Sequence, residues 1–474
     1  MRKMLLLIMG GVWLFAGCGT EPASAGNFFY NYSSMHAPSP QSRILIHDPI
    51  AGDKNIFYGQ LATTQGAPIL IETNGVLTPL STQTMSAACS QTNTIHITSA
   101  LTAIQSNYSS ATVHGCNAPV IWHPGGSINP TTKFRLSNPY QPPISPMLFG
   151  AKWDGTTDDT VAINNALASG GMVTFPPGNA IVTAPINVIV SGTKLMGSGL
   201  YTTTVYQSVA SSVVFNITAS NVDFSGINAD YISVPISGAT AIKTTGANNH
   251  LHSFGVNHAY TALEITGGVN QILDDYYLYN YVYAGLYAHD VGGLISNNFT
   301  IDAISPTNGT GGGIFFNNNV EAPIFTNGEV LGGAYSLFTA AGTFAVGLCP
   351  EYGRFTNVYF DSGTNGSYID KTRVMRFDGC WFSGGRITGG GNPALNIVQN
   401  YNLSFNATDF VNSGSHGALL GALNTSTSFD GCLFDGNGMG DGITPSSGSG
   451  LQTDNNAHDW AVTNSKMTRD AFTS

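Results

Sequence analysis

From residue 195 onward the chain repeats one small pattern: an apolar residue is followed five positions later by another. The starts are Leu195, Val222, Leu251, Leu273, Leu294, Phe325, Phe355, Phe377, Phe405, Phe429 and Val462, and the partners are Leu200, Ile227, Val256, Leu278, Phe299, Val330, Phe360, Phe382, Phe410, Phe434 and Met467. Successive starts lie 21 to 33 residues apart, averaging near 27. That period marks a solenoid rather than a closed barrel. Strand faces alternate with period two, so a spacing of five cannot keep both side chains inward on one flat strand. A corner between them resolves the conflict. Asn327, Asn357, Gly379, Gly431 and Asn464 stand at the third position, and these residue types accept the left-handed backbone of a sharp corner.

After the corner, positions four and six of the motif face inward and position five faces out. Eleven such coils, stacked about 4.8 Å apart, make a rod of roughly 50 Å. Cys380 and Cys432 share an inward position two coils apart, roughly 10 Å, too far for a disulfide, and are expected to be buried free thiols. The outward positions form a file on one wall: Tyr277, Asn298, Glu329, Tyr359, Trp381, Asp409 and Leu433. Two residues further along the strands come Tyr279, Asp361, Ser383 and Asp435. Aromatic rings stack on sugar faces, and carboxylates bind hydroxyls or catalyse. The competing reading is an ordinary solvated wall on which rings stack against each other.

Upstream of the repeats stands a more specific stretch, Phe149-Gly150-Ala151-Lys152-Trp153-Asp154-Gly155-Thr156-Thr157-Asp158-Asp159-Thr160-Val161-Ala162-Ile163. It continues through Gly170-Gly171-Met172-Val173-Thr174-Phe175-Pro176-Pro177-Gly178 to Leu195-Met196-Gly197-Ser198-Gly199. Asp158 or Asp159 is placed to cap a helix starting at Thr160, whose apolar positions Val161, Ile163, Ala166 and Leu167 would close the end of a β stack. Asp154 reads as a turn former. These roughly fifty residues resemble the opening of the pectate-lyase superfamily, in particular its rhamnogalacturonase/epimerase-like branch. The resemblance implies an all-β, right-handed parallel β-helix with an N-terminal capping helix, acting on polysaccharides; it carries no catalytic motif with it.

Residues 26–146 alternate short β-like runs (Arg43–Ile46, Pro68–Ile71, Asn93–Ile97) with turn residues, and read as a small β-rich leading region. Four prolines between Pro139 and Pro146 make a semi-rigid linker to the solenoid at 147–474. Residues 1–25 read as an export signal: Arg2 and Lys3 precede the short apolar run Met4–Phe15. Cleavage after Ala23-Ser24-Ala25 and a lipobox ending at Cys18 are both open, so the product is either secreted or a lipoprotein held by its lipid in a bacterial outer membrane. Among the five cysteines beyond Cys18, Cys89–Cys116 is the one pairing that export favours.

Composition narrows the partners. Charged residues make up only 9% of the 474, while 57 are glycine and 42% are apolar, so Ser, Thr, Asn and Gly must wet the surface. Sixteen Lys and Arg against 27 Asp and Glu give a net charge of −11, which excludes a nucleic acid as the expected partner.

The catalytic expectation follows from stacking. Glu329 and Asp361 fall on neighbouring coils, one step across and two residues along, roughly 8 Å apart. That suits an inverting glycosidase with water between acid and base. Tyr359 and Trp381 flank the pair as sugar platforms, with Asp409, Tyr277 and Tyr279 as further contacts. The alternative reading of both carboxylates is polar surface.

No cofactor is expected, although a lyase on the same scaffold would need Arg or Lys as base and calcium held by carboxylates. Lys371, Arg373, Arg376 and Arg386 could serve, but such clusters are usually solvated loops. Asp274-Asp275 with Ser415-His416-Gly417 matches a polygalacturonase-like site only in part. His250, His252 and His258 lack the spacing of a zinc motif and read as surface histidines. Gly311-Gly312-Gly313 follows no strand-to-helix pattern and reads as a loop.

Three functions therefore stand open: a polysaccharide-cleaving enzyme, hydrolase or lyase; a non-catalytic glycan-binding adhesin; and a tailspike-type depolymerase. The last is disfavoured by the export signal and by the short run after Val462. The oligomeric state is not legible.

Overall fold

The computed structural model describes residues 143–303, 311–385, 391–438, 448–454 and 457–468, together with the backbone of eight short strands before residue 143. The leader, Cys18, Cys89 and Cys116 lie outside the described residues. In the leading region, Arg43–Asp48 pairs antiparallel with Gly52–Phe57, and Ile69–Thr73 pairs with both Val76–Pro79 and Asn93–Ile97. The three β-like runs expected there are thus strands.

The described strands from Asp154 to Thr468 form a single 28-stranded parallel sheet, each strand bonded to the one a coil away. This is a parallel β-solenoid of about ten turns, all-β among the described residues apart from a short helix and a 3-10 turn at its start. Its first inward column runs Leu195, Phe224, Leu251, Leu273, then Ser296, Phe325, Phe355, Phe377, Phe405, Phe429 and Val462. The second runs Val205, Ala229, Val256, Leu278, then Ile301, Val330, Phe360, Phe382, Phe410, Phe434 and Met467.

Two coils differ from the spacing reading in both positions, and the Leu195 coil differs in its second. Phe224 and Ser296, not Val222 and Leu294, are the register partners of the other starts. In the second column Ile227 and Phe299 likewise give way to Ala229 and Ile301, two residues on, while on the Leu195 coil Leu200 gives way to Val205, five residues on. The physical reason is that a slip of two residues preserves which side chains face inward, so hydrophobic pattern cannot detect it. Val222, Ile227, Leu294 and Phe299 are indeed buried, only elsewhere in the coil.

The corner fixes the register instead. Two residues after each start from Phe224 onward the backbone is left-handed, at Gly226, Ser253, Asp275, Asn298, Asn327, Asn357, Gly379, Ala407, Gly431 and Asn464. A left-handed backbone disfavours most L-residues, which is why Asn and Gly dominate the list. Asparagines also brace the corner from coil to coil: Asn357 Nδ2 donates to Asn327 Oδ1 at 3.0 Å, and Asn327 Nδ2 donates to Asn297 Oδ1 at 3.1 Å.

Phenylalanine fills the later core. Phe355, Phe377, Phe405 and Phe429 stack at 4.9, 4.9 and 5.0 Å between centroids. Phe360, Phe382, Phe410 and Phe434 form a second stack at 4.9, 5.5 and 4.9 Å. Offset stacking of this kind adds attraction beyond the apolar area removed from water.

Cys380 and Cys432 are buried free thiols in the same inward column, as expected. Burial pushes the Cys380 thiol up to about 12 and the Cys432 thiol up to about 11. The thiolate is the reactive form, so both should resist alkylation in the native protein. Peptide mass spectrometry after iodoacetamide treatment should find both unmodified until denaturant is added. Modification of either in the native protein within minutes contradicts this packing.

The helix Thr160–Ala168 closes the stack, burying Ala162, Ile163, Ala166 and Leu167. Val161, expected among the apolar contacts, faces solvent. The two aspartates divide the labour. Asp158 Oδ1 accepts from the Thr160 N–H at 3.0 Å and the Thr160 hydroxyl at 2.6 Å, and so caps the first turn. Asp159 is buried and does not cap; its carboxylate accepts the N–H groups of Lys152 and Trp153 at 2.7 and 2.9 Å. Trp153 is itself left-handed, at φ 54°. Asp159 therefore pins a strained loop under the helix, and Asp154 forms the expected turn with the N–H groups of Thr156 and Thr157. Asp159→Ala should lower the unfolding free energy by about 3 kcal/mol, two charge-assisted bonds at about 1.5 kcal/mol each, as measured by urea denaturation. An effect below about 0.5 kcal/mol contradicts the assignment.

Candidate active site

Beyond the corner, each coil presents two outward positions on one wall. The first file runs Tyr277, then Thr300, Glu329, Tyr359, Trp381, Asp409 and Leu433, joined by register from Thr300 onward. Asn298, expected in this file, is a corner residue whose amide donates to Asp275. Two residues along, the second file reads Asp230, Asn257 and Tyr279, then Asp302, Leu331 and Asp361. Ser383 adjoins Asp361 from the next coil, and Asp435 pairs with Val411 further down.

Glu329 and Asp361 thus fall where the sequence places them, on adjacent coils of one wall and two residues out of register. Glu329 is exposed and Asp361 half-buried. Asp361 Oδ1 accepts from the Ser362 hydroxyl at 3.1 Å and also from the Ser383 hydroxyl. Tyr359 and Trp381 stand side by side with ring centroids 6.2 Å apart, and Tyr277 stacks on Tyr279 at 5.9 Å. Asp409 continues the first file beyond Trp381, and its half-burial raises its carboxyl above the ordinary range.

The spacing reading missed Asp302. Shifting that coil by two residues takes Asp302 into the same file as Asp361, on the coil preceding Glu329. Glu329 therefore lies between two aspartates, each one coil across and two residues along, roughly 8 Å by strand geometry. Burial raises the Asp302 carboxyl above its ordinary range. The nearby Tyr279 phenol is raised as well, by burial first and then by Tyr201, Tyr277, Asp302 and Glu329 around it. The sequence signal was present in Asn297-Asn298, which matches Thr326-Asn327 on the next coil.

Other groupings do not assemble. Asp274 and Asp275 lie five coils from His416, whose Nδ1 lies 3.1 Å from the Ser449 hydroxyl. The basic residues are engaged: Arg376 Nε binds Asp378 at 2.8 Å, Arg373 lies over the Tyr401 ring at 5.0 Å, and Lys371 Nζ donates to the Ala341 carbonyl at 3.1 Å. Arg386 lies outside the described residues. Gly312 and Gly313, read as loop, open the strand Gly312–Glu321.

A second aromatic file, also unread in the sequence as a file, runs along another wall through Tyr287, Phe315, Phe338 and Tyr368 at 4.9, 4.9 and 5.5 Å. It begins at Glu264, register partner of Tyr287. Burial alone would raise the Glu264 carboxyl, but hydrogen bonds from His289 and Lys243, with the Lys243 charge, bring it down to about 2. Its Lys243 contact is 2.8 Å. These rings pack on one another and brace the rod.

Residues 147–320 match the family model Rhamnogalacturonase A/epimerase, pectate lyase-like. That family's fold is the one expected from the Phe149–Ile163 stretch, and the match spans the capping helix, the early coils and Asp302. Comparison with curated proteins gives no match. Among solved structures, the A-module of mannuronan C-5 epimerase AlgE4 from Azotobacter vinelandii is 14% identical with a TM-score of 0.55, over 69% of this chain and 96% of that one. The Dettilon tailspike protein is 14% identical, TM-score 0.48, over 67% and 68%. PfbA, a surface adhesin of Streptococcus pneumoniae, is 13% identical, TM-score 0.42, over 70% and 91%. At 14% identity the likeness to the epimerase module is one of fold.

Proposed function

We propose that this chain is an exported carbohydrate-active enzyme that lays a polysaccharide along the Tyr277–Trp381 wall and hydrolyses it at Glu329. The observation that carries this reading is the run of three carboxylates on consecutive coils, one of them pushed up by burial and flanked by tyrosines. Two carboxylates whose surroundings differ in this way suit the acid and base roles of glycoside hydrolysis. Asp302, in its protonated form, donates to the glycosidic oxygen as the bond breaks. Glu329 takes a proton from the water that attacks the sugar from the opposite face. A separation of roughly 8 Å leaves room for that water and implies inversion at the anomeric carbon.

Asp361 is the partner that the sequence alone favours. Its Oδ1 already accepts from two serine hydroxyls, which suits it better to binding a sugar hydroxyl. Support for a glycan substrate comes from the family match and from the mannuronan epimerase, which is named for its action on a polysaccharide. Export, with cleavage after Ala25 or lipidation at Cys18, rests on the leader sequence.

The test is a glycan panel with product analysis. New reducing ends of inverted configuration support the proposal. Unsaturated, ultraviolet-absorbing ends make the chain a lyase, and binding without cleavage makes it an adhesin. Because Asp302 must be protonated to act, the alkaline limb of the rate profile should fall above the ordinary carboxylate range, and Asp302→Asn should remove it.

A further inference from the structure

Before the corner, on the coils of Phe224 and Leu251, three side chains converge that play no part in the carboxylate wall. Asp223 and His250 are direct register partners on adjacent coils. His252 stands two residues beyond His250, so both imidazoles project outward on either side of the buried Leu251. Nε2 of His252 lies 3.1 Å from Asp223 Oδ1, and the two imidazole rings lie 4.5 Å apart at 31°. One donor atom from each of the three lies within 4.8 Å of the other two. Among the described residues this is the one grouping of three His, Cys, Asp or Glu side chains so placed.

We propose that Asp223, His250 and His252 form a three-ligand site for a divalent first-row transition metal, with zinc the best fit. Two imidazoles and a carboxylate are the ligand set zinc and cobalt accept, whereas calcium and magnesium demand oxygen donors. About a third of the His252 and Asp223 side chains is open to solvent, which leaves an entry path and room for water to complete the coordination. No protein group hydrogen-bonds the His250 ring among the described residues, so its nitrogens are available. The ligands sit on strands of stacked coils, a rigid frame that holds them in place before the ion arrives. The ion would tie the Phe224 coil to the Leu251 coil, and binding only the folded chain would stabilise it.

The test is isothermal titration of tag-free protein with zinc chloride, alongside visible absorption of the cobalt-loaded protein. Expected are one saturable zinc site per chain, cobalt bands in the visible, and a higher melting temperature with excess zinc. His252→Ala and His250→Gln should each weaken zinc binding at least about ten-fold, whereas His258→Ala, which removes a histidine bonded to Asp230 instead, should bind as the wild type does. The proposal is overturned if the wild type shows no saturable site tighter than about millimolar. Binding that both His250→Gln and His252→Ala leave unchanged overturns it equally, since the ion then sits elsewhere.

Discussion

Glu329→Gln should reduce cleavage of the cognate polysaccharide by about a hundred-fold to ten-thousand-fold, the range over which a positioned acid or base contributes. Glu329 is exposed at the outer end of its strand position, so the change should leave the melting temperature within about a degree or two, since surface substitutions stay within about 0.5 kcal/mol. Asp302→Asn should lower the rate over the same range, because an amide cannot give up a proton to the leaving oxygen. Asp361→Asn should act more weakly, about ten-fold, as expected of a residue that only binds a sugar hydroxyl. The contrast decides between the two aspartates. Should Asp361→Asn abolish activity while Asp302→Asn spares it, the acid is the one that the sequence first suggested. Unchanged rates in Glu329→Gln remove the site altogether.

Phe377→Ala should be among the most damaging single substitutions in the chain. Phe377 is fully buried, stacked at 4.9 Å on both Phe355 and Phe405 and edge-on to Phe382 at 5.5 Å. Removing a ring from the middle of such a stack loses its transfer free energy and leaves a cavity that neighbouring coils, fixed by their ladders, cannot fill. The expected loss is about 3–5 kcal/mol, read from the denaturant midpoint at unchanged slope. Tyr359→Ala makes the useful contrast: the residue is 43% exposed on the wall, so stability should change little while glycan affinity falls. A Phe377→Ala loss below about 1 kcal/mol would mean that the stack carries little of the stability.

The scaffold was legible in the sequence because its rules are local and repeated. An apolar pair five apart, a glycine or asparagine between, and a period near 27 leave a solenoid as the arrangement that buries every pair. The corner was legible at Asn327, Asn357, Gly379, Gly431 and Asn464, hidden where Ser253, Asp275 and Ala407 adopt the same left-handed backbone, and missed at Gly226 and Asn298, whose coils were read two residues out of register. The two misplaced coils show what hydrophobic pattern lacks: inward positions recur every second residue, so Leu294 and Phe299 offer as good a pair as Ser296 and Ile301. That ambiguity hid Asp302, while Glu329 and Asp361, flanked by unambiguous phenylalanines, were placed correctly. Asp159 could not be told from Asp158, since both stand where a cap is needed and only the loop geometry assigns their roles. The Asp223–His250–His252 grouping was likewise invisible, because its ligands meet across coils rather than along a motif.

The most direct measurement is a crystal structure of the Glu329→Gln protein soaked with an oligosaccharide of whichever polysaccharide the wild type degrades. The glycan should lie lengthwise on the wall, rings over Tyr359 and Trp381, with one glycosidic oxygen held between Asp302 and residue 329. Sugar found instead over Tyr287, Phe315, Phe338 and Tyr368, or on no outer wall at all, would contradict the proposed site and leave the solenoid as scaffold.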